Sequence, residues 1–234
     1  MTATVWAGLK DGLIVSCQAA DGDPLRRPGI IAALAEAAVL GGAVAIRANS
    51  VADVRAIRAV VSCPIIALEK RMFGSIQCIT PTAADALRLL DAGAPIVAVE
   101  ATQQRKEVVI GGEAEPFERV LDALHRTMQY VVMADVSTLA EGIAAADAGA
   151  DLVATTLSGY TPQSPTHEGP DFKLLHALAR AVPVPVLAEG RIWTPEQAVR
   201  ARALGAYAVV VGGAITRPRA ITERFVSALD EARR

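Results

Sequence analysis

Short apolar runs alternate with amphipathic stretches along most of this chain. A recurring phrase marks four of the junctions: a Gly-Ala pair ends a helical stretch and an apolar run follows, at Gly42-Ala43, Gly93-Ala94, Gly149-Ala150 and Gly205-Ala206. Glycine can take the left-handed conformation that ends a helix, and a continuous apolar run is typical of a strand buried on both faces of a parallel sheet. The phrase therefore predicts a repeated unit of helix, turn and buried strand.

The same pattern extends over the whole chain and predicts eight strand–helix pairs. The strands are expected near 12–17, 43–47, 64–69, 95–100, 130–135, 151–155, 184–188 and 207–211. The helices are expected near 28–41, 51–61, 82–92, 115–127, 137–149, 170–181, 195–205 and 218–232. Ser137 and Thr194 are predicted helix N-caps, and Pro28, Pro195 and Pro218 suit the first turn of a helix.

Eight alternations in a chain of 234 residues predict an α/β fold, a (β/α)8 TIM barrel occupying residues 1–234 as one domain. Residues 1–11 are expected to form a short N-terminal helix that closes the bottom of the barrel. A doubly wound open sheet is the alternative. That fold usually carries a Gly-rich dinucleotide loop after its first strand, whereas this strand ends in Cys17-Gln18-Ala19, which favours the barrel.

Composition narrows the classes of function. Lys and Arg number 23 against 25 Asp and Glu, so the net charge of −2 argues against a broad nucleic-acid-binding surface. Hydrophobic residues make up 52% of the chain, yet no uninterrupted apolar run reaches the length of a membrane span. The three cysteines lack metal-ligand spacing and fit a reducing compartment. We therefore expect a cytoplasmic protein with no signal peptide, no nucleic-acid or membrane partner, no metal and no cofactor.

Candidate chemistry is sought at the carboxyl ends of the strands, because barrels place their active sites there. Polar residues or glycines follow every predicted strand: Gln18, Arg47, Asn49, Ser50, Glu69, Lys70, Arg71, Glu100, Thr102, Asp135, Thr155, Thr156, Ser158, Glu189, Gly190, Arg191, Gly212, Gly213 and Arg217. Several of these can instead be loop caps, and Arg47 and Asp135 can form a purely structural ion pair.

Lys70 is the strongest catalytic candidate, and Glu189 is the second. Only four of the 23 basic residues are lysines, and Lys70 alone closes an apolar strand. A lysine in the partly dry mouth of a barrel is expected to have a lowered pKa. Glu189 also follows an apolar strand, whereas strand alternation predicts that Glu69 points away from Lys70 toward a neighbouring helix.

Two glycine turns predict a phosphate site. Gly190 follows strand seven, and Gly212 and Gly213 follow strand eight, where barrels commonly bind a phosphate through backbone N–H groups. Arg217 and Arg191 are expected to add charge-assisted hydrogen bonds. Lysine, glutamate and a phosphorylated substrate suggest proton transfer beside a carbonyl, and they equally permit a Schiff base.

Longer phrases resemble the N-acetylmannosamine-6-phosphate 2-epimerase family. They are Leu13-Ile14-Val15-Ser16-Cys17-Gln18-Ala19, Ala45-Ile46-Arg47-Ala48-Asn49-Ser50, Lys70-Arg71, Ile79-Thr80-Pro81-Thr82, Met133-Ala134-Asp135-Val136-Ser137-Thr138-Leu139-Ala140-Glu141-Gly142, Thr155-Thr156-Leu157-Ser158-Gly159-Tyr160-Thr161, Ala188-Glu189-Gly190 and Val210-Val211-Gly212-Gly213-Ala214-Ile215-Thr216-Arg217-Pro218. These phrases span almost the whole chain in order.

The resemblance implies a ribulose-phosphate-binding-barrel-like isomerase that acts in sialic acid and amino sugar catabolism. It implies that Lys70 is the catalytic base at C2 of the open-chain sugar and that Glu189 is an acid–base or positioning group. It further places Gln18, Arg47 and Asp135 at the substrate, and Gly190, Gly212, Gly213 and Arg217 at the phosphate. The chain departs from the family pattern at Glu69, where an apolar residue is usual, and at Glu100, where an aspartate is usual.

Two other functions stay open at this point: a Schiff-base aldolase on the same barrel and a non-catalytic binder of a sugar phosphate. The expected partner is a small-molecule amino sugar phosphate. The apolar C-terminal helix, residues 221–229, can pack on its own barrel or on a second copy, and we favour a homodimer.

Overall fold

The computed structural model describes residues 6–127, 130–166 and 168–233. Residues 1–5 of the predicted N-terminal helix therefore lie outside the described residues, and within residues 6–11 only Trp6 and Ala7 are helical. Leu9, which follows them, is fully buried in the interior of the barrel. Leu9 and Trp6 thus pack against the inward-facing side chains of the barrel, whereas residues 8–11 form turns in place of the predicted helix.

Ten strands are present in the described residues. Eight of them are β1 (Leu13–Cys17), β2 (Ala45–Asn49), β3 (Ile65–Leu68), β6 (Ile96–Glu100), β7 (Val131–Asp135), β8 (Leu152–Ala154), β9 (Val186–Glu189) and β10 (Ala208–Val211). They form a closed parallel barrel in the order β1-β10-β9-β8-β7-β6-β3-β2. The predicted barrel is confirmed, and the open-sheet alternative is wrong.

The remaining two strands form an antiparallel hairpin that the sequence analysis missed. They are β4 (Lys70–Phe73) and β5 (Ile76–Ile79), and their register pairs Lys70 with Ile79. The hairpin projects from the end of β3 before the chain reaches the next helix. Lys70 therefore begins a hairpin rather than closing the third barrel strand, which ends at Leu68.

The described helices cover the outside of the barrel and follow the strands in order. They are α1 (Pro28–Leu40), α2 (Val51–Arg58), α3 (Ala83–Asp91), α4 (Gln103–Ile110), α5 (Phe117–His125), α6 (Leu139–Asp147), α7 (Phe172–Ala181), α8 (Pro195–Ala203), α9 (Gly213–Thr216) and α10 (Pro218–Glu231). Helices α4 and α9 were not predicted. No helix among the described residues is long and apolar enough to cross a membrane.

Local signals explain where several helices begin and end. The four glycines of the recurring phrase have φ values between 98° and 106°, a conformation that residues with a Cβ rarely adopt. Thr194 caps α8 as predicted, with Gln197 completing a capping box. The predicted cap at Ser137 is wrong by one residue: Thr138 caps α6 with Glu141, and the Ser137 hydroxyl donates to the same carboxylate instead.

Strand alternation divides the core into two shells. Alternate side chains of the barrel strands face inward and form an aliphatic plug that includes Ile14, Ala45, Ile66 and Val210. The intervening side chains pack outward against the helices. Because the inward parity continues past the last apolar residue of each strand, the next inward residue opens into the mouth of the barrel.

Candidate active site

A cavity of about 530 Å³ occupies the mouth of the barrel at the carboxyl ends of the strands. Residues of the barrel strands, the β4–β5 hairpin and the loops line it: Ser16, Gln18, Arg47, Lys70, Met72, Ser75, Gln77, Ile79, Gln104, Thr156, Leu157, Tyr160, Glu189, Gly190, Arg191, Ile192, Trp193, Val210, Gly212, Gly213 and Arg217. The cavity therefore brings together nine of the ten residues predicted for the site.

Lys70 reaches the cavity because it keeps the inward parity of Ile66 and Leu68. Its backbone N–H donates to the Asn49 side-chain oxygen at 2.9 Å, which ties the start of the hairpin to β2. Burial, followed by the positive charges of Arg47 and Arg217, lowers the pKa of Lys70 to about 8. An amine of that pKa is partly neutral near pH 7 and can accept a proton.

Arg47 lies at the centre of a buried charge cluster. Its side chain is 1% exposed and forms ion pairs with both Asp135 and Glu189. It also donates to the Thr156 hydroxyl at 3.0 Å. Burial acts to lower the Arg47 pKa, but the two adjacent carboxylates outweigh burial and raise it, so the guanidinium is a permanent positive charge in the cavity wall.

Asp135 lies one layer behind the cavity. Its side chain is fully buried, and it is not among the residues that line the cavity. Both of its oxygens accept hydrogen bonds, from Arg47 and from the Thr156 hydroxyl. The ion pair that the sequence left as an alternative is present, and in this arrangement Asp135 orients Arg47 instead of facing the cavity.

Glu189 presents its carboxylate to the cavity, with 14% of its side chain exposed. Burial raises its pKa above the ordinary value, against the opposing effect of Arg47. The Thr155 hydroxyl fixes the backbone of Glu189 on both sides, accepting from its N–H at 3.0 Å and donating to its C=O at 2.9 Å. A carboxyl with a raised pKa beside an amine with a lowered pKa is an arrangement suited to proton transfer.

Gln18 borders the cavity beside β1. Its amide nitrogen donates to the Ser16 hydroxyl at 3.0 Å. Its side-chain oxygen is buried and has no hydrogen-bond partner among the described residues. A buried acceptor without a partner is costly, so this oxygen is suited to accept a hydrogen bond from a bound molecule.

The glycine turns after β9 and β10 form part of the cavity wall. Gly190 has φ of 113°, so a side chain there would strain the backbone. A Cβ on Gly213 would lie 3.0 Å from the Trp193 ring, and one on Gly212 would lie 3.3 Å from the Ser16 Cβ. The exposed Arg217 follows the turn and also lines the cavity. These residues leave backbone groups accessible beside one positive side chain.

Arg191 makes contacts that the sequence did not predict. Its guanidinium donates to the Gly169 carbonyl at 3.0 Å and to the Ser158 carbonyl at 2.8 Å, and it stacks on the Tyr160 ring at 4.9 Å. The side chain therefore holds the loop that follows β8 instead of extending to the glycine turns. Arg191 also lines the cavity beside Gly190, and its predicted phosphate role stays a prediction.

Glu69 and Glu100, the two departures from the family pattern, both lie outside the cavity lining. Glu69 points toward α2 and α3, as predicted, and burial raises its pKa. Glu100 is 1% exposed and accepts the N–H of Ile79 at 3.0 Å, which fastens the hairpin to β6. Glu100 thus supports the hairpin that begins with Lys70.

Sequence reasoning missed Thr156 as a site residue and missed the hairpin wall at Met72, Ser75 and Gln77. Thr156 was noted only as one polar residue after a strand, although it shares the inward parity of Leu152 and Ala154. The hairpin had no comparable signal. Among the described residues, no group of three or more His, Cys, Asp or Glu could hold a metal ion.

Fold and site together define a (β/α)8 barrel whose mouth holds an amine–carboxylate pair and two glycine-rich turns. The family model described as "Putative N-acetylmannosamine-6-phosphate epimerase" matches residues 31–231. A relative of the corresponding 2-epimerase name from Caldanaerobacter subterraneus subsp. tengcongensis is 53% identical over 228 residues, covering 96% of this chain and 94% of that protein. The chain therefore belongs to the N-acetylmannosamine-6-phosphate epimerase family.

Two further comparisons agree with this assignment. A relative of the same 2-epimerase name from Cutibacterium acnes is 44% identical and covers 97% of this chain and 98% of its own. A solved structure of the N-acetylmannosamine-6-phosphate 2-epimerase from Clostridium perfringens is 44% identical, with a TM-score of 0.88 and 95% of each chain covered. The predicted family, fold and enzyme class, an isomerase, are confirmed.

Proposed function

We propose that this chain inverts C2 of N-acetylmannosamine 6-phosphate to give N-acetylglucosamine 6-phosphate, with Lys70 and Glu189 as the proton-transfer pair. Neutral Lys70 takes the C2 proton of the open-chain sugar, and the C–H electron pair moves into an enolate that the C1 aldehyde stabilises. Protonated Glu189 then donates its proton to C2 on the opposite face. Exchange with solvent restores the two groups.

One observation carries this proposal: the Lys70 amine and the Glu189 carboxyl line one cavity and their pKa values are shifted toward each other. The amine is made easier to deprotonate, and the carboxyl is made easier to protonate. Convergence of an acid and a base in this way is what two-sided proton transfer requires, because each group must be able to give and to take a proton.

Arg47 and Gln18 are proposed to bind the substrate beside this pair. Arg47 supplies a fixed positive charge that can stabilise the enolate oxygen. Gln18 offers its unpartnered side-chain oxygen as an acceptor for an amide N–H or a hydroxyl group. Asp135 is proposed to hold Arg47 in place from behind.

The phosphate of the substrate is proposed to bind at Gly190, Gly212, Gly213 and Arg217. The glycines let backbone N–H groups approach phosphate oxygens closely, and Arg217 adds a positive charge at the same wall. A role in sialic acid breakdown and a cytoplasmic location stay predictions from the sequence.

Isotope exchange tests the reaction directly. The purified protein is incubated with N-acetylmannosamine 6-phosphate in heavy water, and deuterium at C2 of both epimers is measured by proton NMR. The expected result is one solvent deuterium at C2 of the product. Lys70→Met should lose both exchange and epimerisation of this substrate, whereas Glu189→Gln should lose epimerisation and retain exchange only at C2 of N-acetylmannosamine 6-phosphate. Product without deuterium at C2 would contradict proton exchange, and no turnover by the folded protein would contradict the reaction.

The Schiff-base alternative has a separate measurement. Borohydride added with the substrate would leave a covalent sugar adduct on Lys70 if an imine formed, and mass spectrometry would detect it. We expect unmodified protein that retains its epimerase activity after the reagent is removed. A non-catalytic binder would show neither the adduct nor the deuterium.

A homodimer is proposed through helix α10. None of the described residues of this helix is buried, and Phe225, Val226 and Leu229 are 69%, 50% and 63% exposed. Exposed apolar side chains clustered on one helix are typical of a contact surface, and a second copy would supply an equivalent helix. Sedimentation should show a dimer for the wild type and a monomer for Phe225→Asp. The control is Val199→Asp, which changes an exposed apolar side chain on α8 and should leave the dimer intact. A monomeric wild type would contradict the proposal.

A further inference from the structure

The Thr156 hydroxyl lies between the two carboxylates of the charge cluster. Its oxygen is 2.6 Å from Asp135 Oδ1 and 3.2 Å from Glu189 Oε2, and it accepts from Arg47 Nη1 at 3.0 Å. A hydroxyl has one hydrogen to donate, so it can satisfy only one of the two carboxylates at a time. Rotation about its C–O bond is enough to change which one it serves.

We propose that Thr156 is a positioning residue for proton transfer, whose hydroxyl donates to Glu189 when that carboxylate is charged and turns to Asp135 when Glu189 is protonated. This inference rests on the proposed function, in which Glu189 changes its charge in every turnover. Thr156 itself neither gains nor loses a proton, and no covalent bond is formed or broken at its side chain.

The charges around Glu189 explain why such a donor is needed. Arg47 from β2, Asp135 from β7 and Lys70 from β4 act electrostatically on Glu189. A single guanidinium thus forms ion pairs with two carboxylates. A hydrogen bond to a charged acceptor is stronger than one to a neutral acceptor, so the hydroxyl follows the charge as it moves.

The backbone places Thr156 for this task. Ala154 pairs with Leu187 between β8 and β9, and Thr155 fixes the backbone of Glu189 through two hydrogen bonds. The next residue, Thr156, then faces inward beside the Glu189 side chain and lines the cavity. Two consecutive threonines therefore hold one glutamate, the first at its backbone and the second at its carboxylate.

The experiment is an NMR titration that needs no turnover. The carboxyl carbons of glutamate are labelled with ¹³C, the Glu189 signal is assigned by its absence in Glu189→Gln, and its midpoint is followed with pH. Because a donor to the charged form lowers a carboxyl pKa, Thr156→Val should raise the midpoint by about one pH unit. Thr156→Ser, which keeps the hydroxyl, should titrate like the wild type.

A matched control is Thr127→Val, which removes the hydroxyl that donates to Leu124 O far along the chain from the site, and it should leave the midpoint unchanged. Thr156→Ala replaces Thr156→Val if the valine variant does not fold. Equal midpoints in the wild type and the hydroxyl-free variant would overturn the inference, and so would a serine variant that behaves like valine.

The pH–rate profile supplies the functional readout. In Thr156→Val the acid limb of kcat should move to higher pH together with the Glu189 midpoint, while the alkaline limb near the pKa of Lys70 stays in place. General damage to the site would lower kcat at every pH without moving one limb. An inactive wild type with a shifted midpoint in the valine variant would refute the proposed function but leave the Thr156 contact established.

Discussion

The backbone N–H of Lys70 donates to the side-chain oxygen of Asn49 across 2.9 Å. Asn49 is the last residue of β2, and Lys70 is the first residue of the β4–β5 hairpin. The contact joins the rigid barrel wall to the element that carries the proposed base, so the position of the amine depends on a side chain that does not itself line the cavity.

Replacement of Asn49 by alanine should therefore impair turnover more than binding. Without the acceptor, the start of the hairpin loses its tie to β2, and a small displacement of a reacting group is costly in rate. We expect kcat to fall about tenfold with little change in KM. Steady-state kinetics will measure both values, and a wild-type kcat in a folded Asn49→Ala protein would show that the contact is dispensable.

Lys70 should lower the stability of the folded protein at neutral pH. Its pKa falls from 10.5 to about 8 on folding, so between those values the unfolded chain binds more protons. The free energy of unfolding therefore rises with pH through this window. Below about pH 8 the folded protein carries the full cost of burying a charged Lys70. Lys70→Met should be inactive but ~1–2 kcal/mol more stable at pH 7, with the gain shrinking toward pH 10.5.

Urea unfolding at pH 7 and at pH 10 will measure the difference in unfolding free energy between Lys70→Met and the wild type. The control is Lys106→Met, a substitution of an exposed lysine on α4. It should change the free energy of unfolding little at either pH. A Lys70→Met protein that is less stable than the wild type at pH 7 would mean that packing around the amine outweighs the cost of burying it.

Arg47 should be essential to the fold as well as to the site. Replacement by methionine leaves Asp135 and Glu189 buried together without their cation, which typically costs ~3–5 kcal/mol. Because Arg47 acts to lower the pKa of Glu189, the variant should hold its carboxyl protonated to higher pH. The loss of unfolding free energy should therefore become smaller as the pH falls and Glu189 becomes protonated.

The measurement for Arg47→Met is unfolding free energy as a function of pH. Arg233→Met is a suitable comparison, because its ion pair with Asp230 is exposed on both sides and contributes little. A loss in Arg47→Met that does not vary with pH would indicate that lost packing, rather than unpaired charge, destabilises the variant.

Arg217 should affect substrate binding more than the chemical step. Its side chain lines the same cavity as the glycine turn. Arg217→Ala should raise KM for the phosphorylated sugar about 10- to 100-fold, with a smaller change in kcat. The neighbouring Arg219 pairs with Glu223 in solvent, so Arg219→Ala should have wild-type kinetics. Equal effects of the two substitutions on KM would contradict a phosphate contact at Arg217.

The barrel was predictable because short stretches of sequence indicate where each helix ends and where each strand lies. Glycines with positive φ mark helix ends, and apolar runs mark strands that are buried on both faces. The position of Lys70 and Glu189 in the mouth followed from these runs, and the direction of Glu69 followed from strand alternation. Each of these features depends on residues that are close together in the sequence.

The β4–β5 hairpin depends instead on distant residues. Its four-residue strands carry little periodic signal, and it is held by Glu100 on β6 and by Arg105 on α4, whose guanidinium donates to the carbonyl oxygens of Ile79 and Thr80. These contacts join residues that are far apart in the sequence, so no local pattern reveals them.

The sequence by itself determined the eightfold repeat, the family and the residues that can do chemistry at the strand ends. The tertiary structure decided their relationships: Asp135 lies behind Arg47, Arg191 turns to the loop after β8, and Thr156 lies between two carboxylates. Residue type and strand parity are local properties. The partner of a charged group is decided by the three-dimensional packing of separate strands. A buried charge needs an opposite charge or a hydrogen-bond partner, and that partner comes from a residue distant in the sequence.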